Sequence, residues 1–232
     1  MLRDYLRKLI NRNKKKVVYT AISGDYDELL KPAFINDDWD YICFTDNENM
    51  KSDFWHIHEM DNLKLDPVRK NRVYKILPHK YLSEYDYSLY IDGNFRIRGD
   101  IEEYILRFSK GNPMICIVHP ERDCIYEEAK VCVAQKKDSE DVIRNQIRKY
   151  NSENYPTNFG LIAGGILFRK HNNPNVIKVM NSWWREVKSQ SRRDQLSFNY
   201  ACWKNNFNYD VCDLCYWGNE FFEYFQHKGL LH

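Results

Sequence analysis

The residues with the clearest chemical potential are those of the segment Asp92-Gly93-Asn94, which follows the apolar run Tyr-Ser-Leu-Tyr-Ile. Two oxygen-bearing side chains placed two residues apart at the end of a buried strand can face one divalent cation or a ribose. Gly93 lets the backbone turn tightly between them. Asp-Gly and Gly-Asn pairs are also common in ordinary turns, so the segment alone leaves a structural role open.

Two more predicted strands end in polar loops. The strand 16–21 is followed by Ser-Gly-Asp-Tyr-Asp, and the strand 41–45 is followed by Asp46 and Asn47. In open sheets of parallel strands, ligands bind outside the carboxyl ends of the strands. Three polar strand ends therefore predict a ligand site at one edge of a sheet.

The elements that must position these residues alternate along the chain. We predict strands over 16–21, 41–45, 55–60, 88–92, 114–119 and 165–169, and helices over 67–81, 100–108, 125–135, 139–150, 174–188 and 193–204. Alternation of this kind predicts an α/β fold with a mostly parallel central sheet flanked by helices. We expect one domain over residues 16–232, preceded by a basic amphipathic helix over 1–15.

The composition is that of an ordinary globular domain. The chain has 232 residues and a net charge of +2, which gives no general argument for binding nucleic acid. Seven cysteines include the pair Cys212 and Cys215, but no second pair follows, so free thiols in a reducing cytosol are expected. The start of the chain lacks the apolar core of a signal peptide, and we expect a cytoplasmic protein.

The N-terminal segment has apolar residues on one face of the predicted helix and basic residues around them. Leu2, Tyr5, Leu6, Leu9 and Ile10 form the apolar stripe. The helix either packs on the domain or lies on an anionic membrane surface, at the inner face of the cell membrane. The sequence leaves both open.

The region 71–101 carries a helix with Arg and Lys, then Leu-Pro, an acidic turn, Leu-Tyr-Ile-Asp and Gly-Asp-Ile. This arrangement resembles the nucleotide-sugar half of glycosyltransferases with the GT-A fold. The resemblance extends to the glycogenin and bacterial lipopolysaccharide galactosyltransferase branch, whose matching segment ends in an Asp-x-Asp that binds manganese and the donor diphosphate. It implies Mn²⁺ or Mg²⁺ held by Asp92, Asn94 and His227. Asn94 replaces the second Asp, which removes one formal charge of attraction.

Four further features are the segment 119–129, Gly-Gly-Ile-Leu-Phe-Arg over 164–169, Trp183-Trp184 and Ser-Arg-Arg-Asp-Gln-Leu-Ser-Phe over 191–198. They give a closer resemblance to the family called domain of unknown function 616, which includes bacterial glycosyltransferases and plant proteins linked to turgor and mucilage. Together these features span roughly residues 17 to 200. Helical spacing predicts that the two Trp residues belong to the core.

The two resemblances and the chemistry of a diphosphate suggest three groups of site residues. Donor-binding residues are Thr20, Ala21, Asp25, Tyr26, Arg69, Arg72, Lys75, Asp92, Gly93, Asn94, Gly164 and Gly165. Helical spacing puts Arg69, Arg72 and Lys80 near one face and Lys75 off it. The resemblance implies Asp194 and Gln195 as catalytic residues. Asp194 is expected in a first helical turn, where backbone N–H groups and the helix dipole stabilise an anion. His119, Arg122 and Glu127 follow a strand end and are candidates for binding the acceptor.

These observations predict a glycosyltransferase that moves a sugar from a nucleoside-diphosphate-sugar, with a UDP-sugar favoured, to a hydroxyl of a glycan or glycolipid acceptor. Retention of anomeric configuration and a role in surface polysaccharide or glycolipid synthesis are implied by the resemblance. A non-catalytic module that binds nucleotide-sugar or glycan is an alternative. A metal-dependent hydrolase is another, because a plant relative has been linked to ceramide cleavage, but the sequence has no clear set of three metal ligands.

Overall fold

The structure, a computed structural model, describes residues 14–24 and 26–227. Its strands are β1 (Lys16–Ile22), β2 (Asp40–Thr45), β3 (His56–Glu59), β4 (Tyr87–Ile91), β5 (Phe95–Ile97), β6 (Met114–Val118), β7 (Ile162–Arg169), β8 (Asp210–Cys212) and β9 (Phe222–Tyr224). All six predicted strands are confirmed. The short strands β5, β8 and β9 were not predicted, because three residues are too few to show an alternating pattern.

Seven strands form the central sheet in the order β3-β2-β1-β4-β7-β6-β8. Neighbouring strands are parallel except for β7, which runs antiparallel to both β4 and β6. The predicted mostly parallel α/β sheet is therefore confirmed, whereas the reversed strand was not foreseen. Its reversal matters for the site, because the start of β7 lies at the same edge as the carboxyl ends of β1 and β4. The strands β5 and β9 pair separately in a small antiparallel sheet.

The helices are α1 (Pro67–Ile76), α2 (Pro78–Tyr81), α3 (Ile101–Phe108), α4 (Ile125–Ala134), α5 (Glu140–Ser152), α6 (Pro174–Ser189) and α7 (Gln195–Lys204). The helix predicted over 67–81 is wrong as a single element. It breaks at Leu77, because the residue before a proline is disfavoured in helical conformation. Asp66 caps α1, and its side chain accepts a hydrogen bond from the backbone N–H of Arg69 at 3.1 Å.

Apolar layers cover both faces of the sheet. Side chains of α1, α6 and α7 pack on one face, and α3 with β5 and β9 packs on the other. Trp183 lies fully buried in the first layer, which confirms its predicted place in the core, and Trp184 packs partly buried against the same layer.

All seven cysteines are free, and six of them are buried while Cys215 is exposed. No helix within the described ranges is long and apolar enough to cross a membrane. The predicted N-terminal helix lies almost wholly outside the described residues, as does Asp25.

Candidate active site

A cleft of about 570 Å³ opens at the carboxyl ends of β1 and β4. Ala21 and Ile22 line it from β1, Asp92 and Gly93 follow β4, and Ala163 comes from the start of β7. The end of β2 is used differently. Asp46 accepts hydrogen bonds from the Ser23 hydroxyl at 2.8 Å and the Gly24 N–H at 2.9 Å. It also pairs with Lys70 at 3.0 Å, so this carboxylate holds the loop after β1 in place.

Four charged side chains, two of them buried, meet on the floor of the cleft. The Lys75 ammonium on α1 lies 2.6 Å from a carboxylate oxygen of Asp194 and 3.7 Å from one of Asp92. The Arg72 Nε atom lies 3.2 Å from the same Asp194 carboxylate. Arg72 and Lys75 share a face because they are three residues apart on α1. The side chains of Lys75 and Asp194 are 2% and 3% exposed, so water screens this contact little.

Two glycines of β7 make room for these charges. A Cβ atom on Gly164 would lie 3.6 Å from the Lys75 ammonium and 3.9 Å from an Asp194 carboxylate oxygen. A Cβ atom on Gly165 would collide with the Tyr216 hydroxyl and lie 3.1 Å from an Asp92 carboxylate oxygen. The backbone N–H of Asp92 donates to the Gly165 carbonyl at 2.8 Å, which fixes Asp92 against β7. Gly164 and Gly165 thus lie beside the cluster, and their contact with the donor stays a prediction.

The charges in the cluster set each other's protonation. Burial alone would raise the pKa of Asp194, but the charges of Arg72, Lys75 and Arg193 outweigh it and hold that pKa well below its ordinary value. Burial lowers the pKa of Lys75, and Asp194 and Asp92 oppose that shift by favouring the charged ammonium. The result is an ionised Asp194 within a desolvated group of ions.

Asp194 is ionised for a different reason from the one predicted. The residue occupies the position before α7, but its backbone is already helical, and its side chain makes no capping hydrogen bond. A capping side chain needs an extended backbone to reach the first free N–H groups. The expectation that backbone N–H groups hold this carboxylate is therefore wrong, and Lys75 and Arg72 hold it instead. Its backbone carbonyl accepts a hydrogen bond from the Trp183 indole at 2.9 Å.

Gln195 is fixed between β7 and Arg193. Its amide nitrogen donates to the carbonyls of Ile162 at 3.3 Å and Ala163 at 2.9 Å. Its amide oxygen accepts from Arg193 at 2.8 Å. Arg193 thereby lines the cleft with its guanidinium held by a neutral amide, and Arg192 and Lys137 add further positive charge to the same wall. None of these three basic residues was among the predicted site residues, although the pair Arg192-Arg193 next to Asp194 was an available signal for two of them.

The predicted metal ligands do not converge. The Asn94 amide donates to the Phe225 carbonyl at 2.8 Å. His227 lies 2.9 Å from the Asp27 carboxylate and packs on the Tyr26 ring. One oxygen of Asp92 accepts from the Tyr90 hydroxyl at 2.7 Å. In the described part of the chain, no three His, Cys, Asp or Glu side chains are grouped to hold a metal ion.

The residues present therefore do not fit a divalent cation. Asp92 is the one carboxylate of the predicted ligand set, and the Lys75 ammonium, which a divalent cation at Asp92 would have to approach, lies 3.7 Å from it. Like charges repel strongly where water is excluded. The amide nitrogen of Asn94 holds the backbone of the C-terminal segment, and its oxygen, which has no hydrogen-bond partner among the described residues, is neutral and attracts a cation less than the carboxylate it replaces.

The predicted acceptor residues divide into two groups. His119 lines the cleft, and its Nδ1 atom accepts from the backbone N–H groups of Glu121 at 3.2 Å and Arg122 at 3.1 Å. Arg122 pairs with the buried carboxylate of Glu128 at 2.7 Å. Glu127 instead lies on the outer face of α4, where it pairs with Lys130 at 2.7 Å.

The acidic residue facing the cleft on α4 is therefore Glu128, one position after the predicted one. Ile125, Glu128, Ala129 and Cys132 are the buried positions of α4, and this spacing in the sequence could have indicated Glu128. Burial lowers the pKa of His119, so this ring is neutral at pH 7.

Two predicted donor ligands lie away from the cleft. Arg69 donates to the carbonyls of Val187 at 2.9 Å and Gln190 at 2.7 Å, and pairs with Asp66 at 2.7 Å. Its guanidinium thus closes the C-terminal end of α6. Thr20 is buried within β1. The expected face of Arg69, Arg72 and Lys80 is wrong, because Lys80 belongs to α2 and is exposed while Lys75 points into the cleft.

An aromatic wall closes the other side of the cleft and was not predicted. It consists of Tyr216, Trp217 and Tyr224. The three rings contact one another with centroids 5.0 to 6.2 Å apart. Trp217 remains 51% exposed, which leaves a ring face available at the mouth of the cleft. The sequence offered little to find this wall, since Tyr216 and Trp217 lie in a turn and Tyr224 ends the three-residue strand β9.

The sheet order, the reversed β7 and the acidic residue at the end of β4 define a GT-A-like domain. The comparison with family models agrees with this class. The chain belongs to the TOD1/MUCI70 glycosyltransferase-like domain family, whose model matches residues 3–227.

A curated relative is the Arabidopsis thaliana protein named probable hexosyltransferase MUCI70, which is 26% identical to this chain over 215 residues. The match covers 79% of this chain and 36% of the plant protein, so the chain spans about a third of that relative's length.

Proposed function

We propose that the protein transfers a hexosyl group from a nucleoside-diphosphate-sugar to a hydroxyl of a glycan or glycolipid. The observation that carries this proposal is the group of buried charges around Lys75 on the floor of an open cleft. Buried ions that line a cleft, with shifted pKa values, are typical of functional sites. The family and the hexosyltransferase name of the plant relative support the same reaction class.

The reaction breaks the bond between the anomeric carbon and the diphosphate oxygen, and the electron pair leaves with the diphosphate. The acceptor oxygen forms the new bond to that carbon, and its proton passes to the departing diphosphate. Positive side chains that face the developing negative charge lower the barrier, because they are already oriented in a site shielded from water. We assign this role to Arg72, Lys75 and Arg193, which line the cleft.

The two walls of the cleft suit different substrates. We assign the donor to the wall formed by β1, α1 and the start of α7, with Tyr26 near the base. We assign the acceptor to the aromatic wall, because the apolar face of a sugar ring packs on an exposed ring such as that of Trp217. His119 and Arg122, which line the cleft, stay candidates for hydrogen bonding to acceptor hydroxyls.

A screen of nucleoside-diphosphate-sugars tests the proposal. We expect at least one, with UDP-sugars favoured, to raise the melting temperature, because a ligand that binds only the folded state stabilises it. The same sugar should then be slowly hydrolysed or transferred, and NMR of the anomeric proton should show the retention that the resemblance implies. Asp92→Asn should abolish turnover, whereas Asp53→Asn, whose side chain is 83% exposed, should leave it unchanged.

The same screen separates the alternatives. Binding of a nucleotide-sugar without turnover, across a broad panel of acceptors, would indicate a non-catalytic module. No observation in the described chain favours the hydrolase, since no group of three metal-ligating side chains is found there.

We further propose that residues 1–13 bring the protein to an anionic membrane at the cytoplasmic side. The apolar stripe with its basic border supports this location, and each basic residue near such a surface contributes about 1 kcal/mol. A chain lacking residues 1–13 should no longer sediment with anionic vesicles yet keep its activity on a soluble acceptor. Sedimentation that is insensitive to salt would contradict an electrostatic contact.

A further inference from the structure

The Lys75 ammonium lies close to the carboxylate where the sequence predicts a metal ion. It lies between Asp92 and Asp194, at 3.7 Å and 2.6 Å from their oxygens, and its side chain is 2% exposed. Asp92 also accepts a hydrogen bond from Tyr90, whose ring lies 5.3 Å from the same ammonium. The Oδ1 atom of Asp92 is therefore already matched with a positive charge and a donor.

Neighbouring residues fix the position of the Lys75 ammonium at the floor of the cleft. Gly164 presents no side chain against the ammonium, so the floor stays open on that side. The Tyr19 hydroxyl donates to the Lys75 backbone carbonyl at 3.0 Å, which fixes this turn of α1 on the sheet. Lysine carries a compact charge with three N–H donors, so pairing with two carboxylates leaves it able to bind a phosphate oxygen.

Stability alone does not account for this arrangement. Buried ion pairs are often no more stable than apolar residues of the same volume. Here the ions line a cleft. The second position of the acidic motif is Asn94, which offers a neutral oxygen in place of a carboxylate and whose amide nitrogen donates to the Phe225 carbonyl. Two observations thus support the same conclusion. The set of side chains that would hold a divalent cation has lost a charge, and an ammonium that would repel such a cation lies beside Asp92.

We infer that Lys75 takes the place of a divalent cation in the donor site, so that its ammonium contacts the diphosphate and offsets the charge on the departing oxygen. This inference rests on the proposed function and names the residue that makes the reaction independent of metal. Asp92 and Asp194 then act as positioning residues, because they hold the ammonium at the floor of the cleft.

The test compares metal-free enzyme with variants of Lys75. We expect chelator-treated wild-type protein to bind a nucleoside diphosphate in titration calorimetry and to turn over the donor found in the screen at the rate seen with added manganese. Lys75→Ala should lower turnover at least about 100-fold, the effect of removing one charge-stabilising donor. Ethylammonium should restore part of it, because the small cation can enter the space left by the side chain.

A matched control lies on the next helix. Lys80 on α2 is exposed and does not line the cleft. Lys80→Ala should keep turnover within about twofold of wild type, since it removes a lysine near the end of α1 without removing a donor at the reacting bond. Lys75→Arg keeps the charge and should bind the nucleoside diphosphate more tightly than Lys75→Ala does.

The outcomes separate the inference from the proposed function. Turnover or nucleotide binding that appears only when manganese or magnesium is restored would overturn the role of Lys75 and leave the transferase intact. If no nucleotide-sugar binds with or without metal, the proposed function fails, and the inference fails with it. Should Lys75→Ala not fold, the metal-free wild type and Lys75→Arg still decide.

Discussion

The substitution Asp194→Asn removes one charge from the buried group and changes little else in shape. Lys75 and Arg72 then keep their positive charges, with Asp92 as the nearest remaining carboxylate, 3.7 Å from the ammonium. Removing one partner of a buried ion pair costs about 3–5 kcal/mol. Lys75 can lose its proton instead of remaining charged without its partner. The free energy of that deprotonation is therefore the largest loss of stability that Lys75 can cause. The limit is about 1.4 kcal/mol for each pH unit below ~10.4, or about 4.6 kcal/mol at pH 7.

We therefore expect Asp194→Asn to lower the free energy of unfolding by about 3–4.5 kcal/mol at pH 7, with a fall in melting temperature of roughly 6–18 °C for a chain of this size. The cost should shrink towards about 2 kcal/mol at pH 9, where Lys75 sheds its proton more easily. On the acid side, the pKa of Asp194 is lowered in the folded state, so its contribution is full above the unfolded pKa of ~3.9 and is lost as the pH falls below it. The difference between wild type and variant should therefore begin to narrow below that pH, by about 0.7 kcal/mol at pH 3.5.

Urea unfolding at pH 3.5, 7 and 9 measures these differences. Asp100→Asn is the matched control, because Asp100 does cap its helix, accepting from the Glu102 N–H at 2.8 Å. Asparagine caps as well as aspartate does, so this control should change stability by less than about 1 kcal/mol. If Asp194→Asn costs no more than the control at pH 7, Asp194 is not paired as described.

Three further expectations follow from other parts of the chain. Burial lowers the pKa of His171 to about 4, so the stability that this neutral ring contributes is full above pH ~6.5 and is lost as the pH falls. Wild type should therefore lose about 3 kcal/mol of unfolding free energy more than His171→Gln does between pH 7 and 4. Asn94→Asp places a carboxylate against the Phe225 carbonyl and should lower the free energy of unfolding by about 1–3 kcal/mol, with faster hydrogen exchange at residues 225–227. If added manganese restores the lost stability, the site does bind a divalent cation, which would contradict the role given to Lys75. A thiol reagent should modify one cysteine of the native chain, the exposed Cys215, and none in Cys215→Ser; rapid reaction of a second thiol would contradict the burial of the other six.

The sequence predicted the sheet more fully than the site. Buried strands are continuous apolar runs ended by polar residues, so β1 and β4 could be placed with their ends together at the cleft. Local patterns do not report direction, however, and the reversed β7 depends on pairing with β4 and β6, which are distant in sequence. Short pairings such as β5 with β9 are likewise decided by contacts far along the chain.

Among site residues, prediction succeeded where the backbone alone fixes the position. Asp92 follows a strand and lies in the cleft as expected. Residues on helices were harder, because which face meets the cleft depends on packing: Glu128 faces it instead of Glu127, and Lys75 faces it while Arg69 closes α6. The sequence predicted that Asp194 is ionised, but for the wrong reason, because the residues that stabilise its charge lie on another helix.

The direction of β7 explains why the charged group and the two glycines occur together. In a parallel strand, residues 164 and 165 would lie at the opposite edge of the sheet from the end of β4. Reversal places them beside Asp92, where a side chain on Gly165 would collide with Tyr216 and crowd Asp92. Gly164 has a φ of +80°, a conformation that favours glycine, and it faces Lys75 and Asp194. The same strand therefore supplies the hydrogen bond that fixes Asp92 and the open floor against which Lys75 and Asp194 lie.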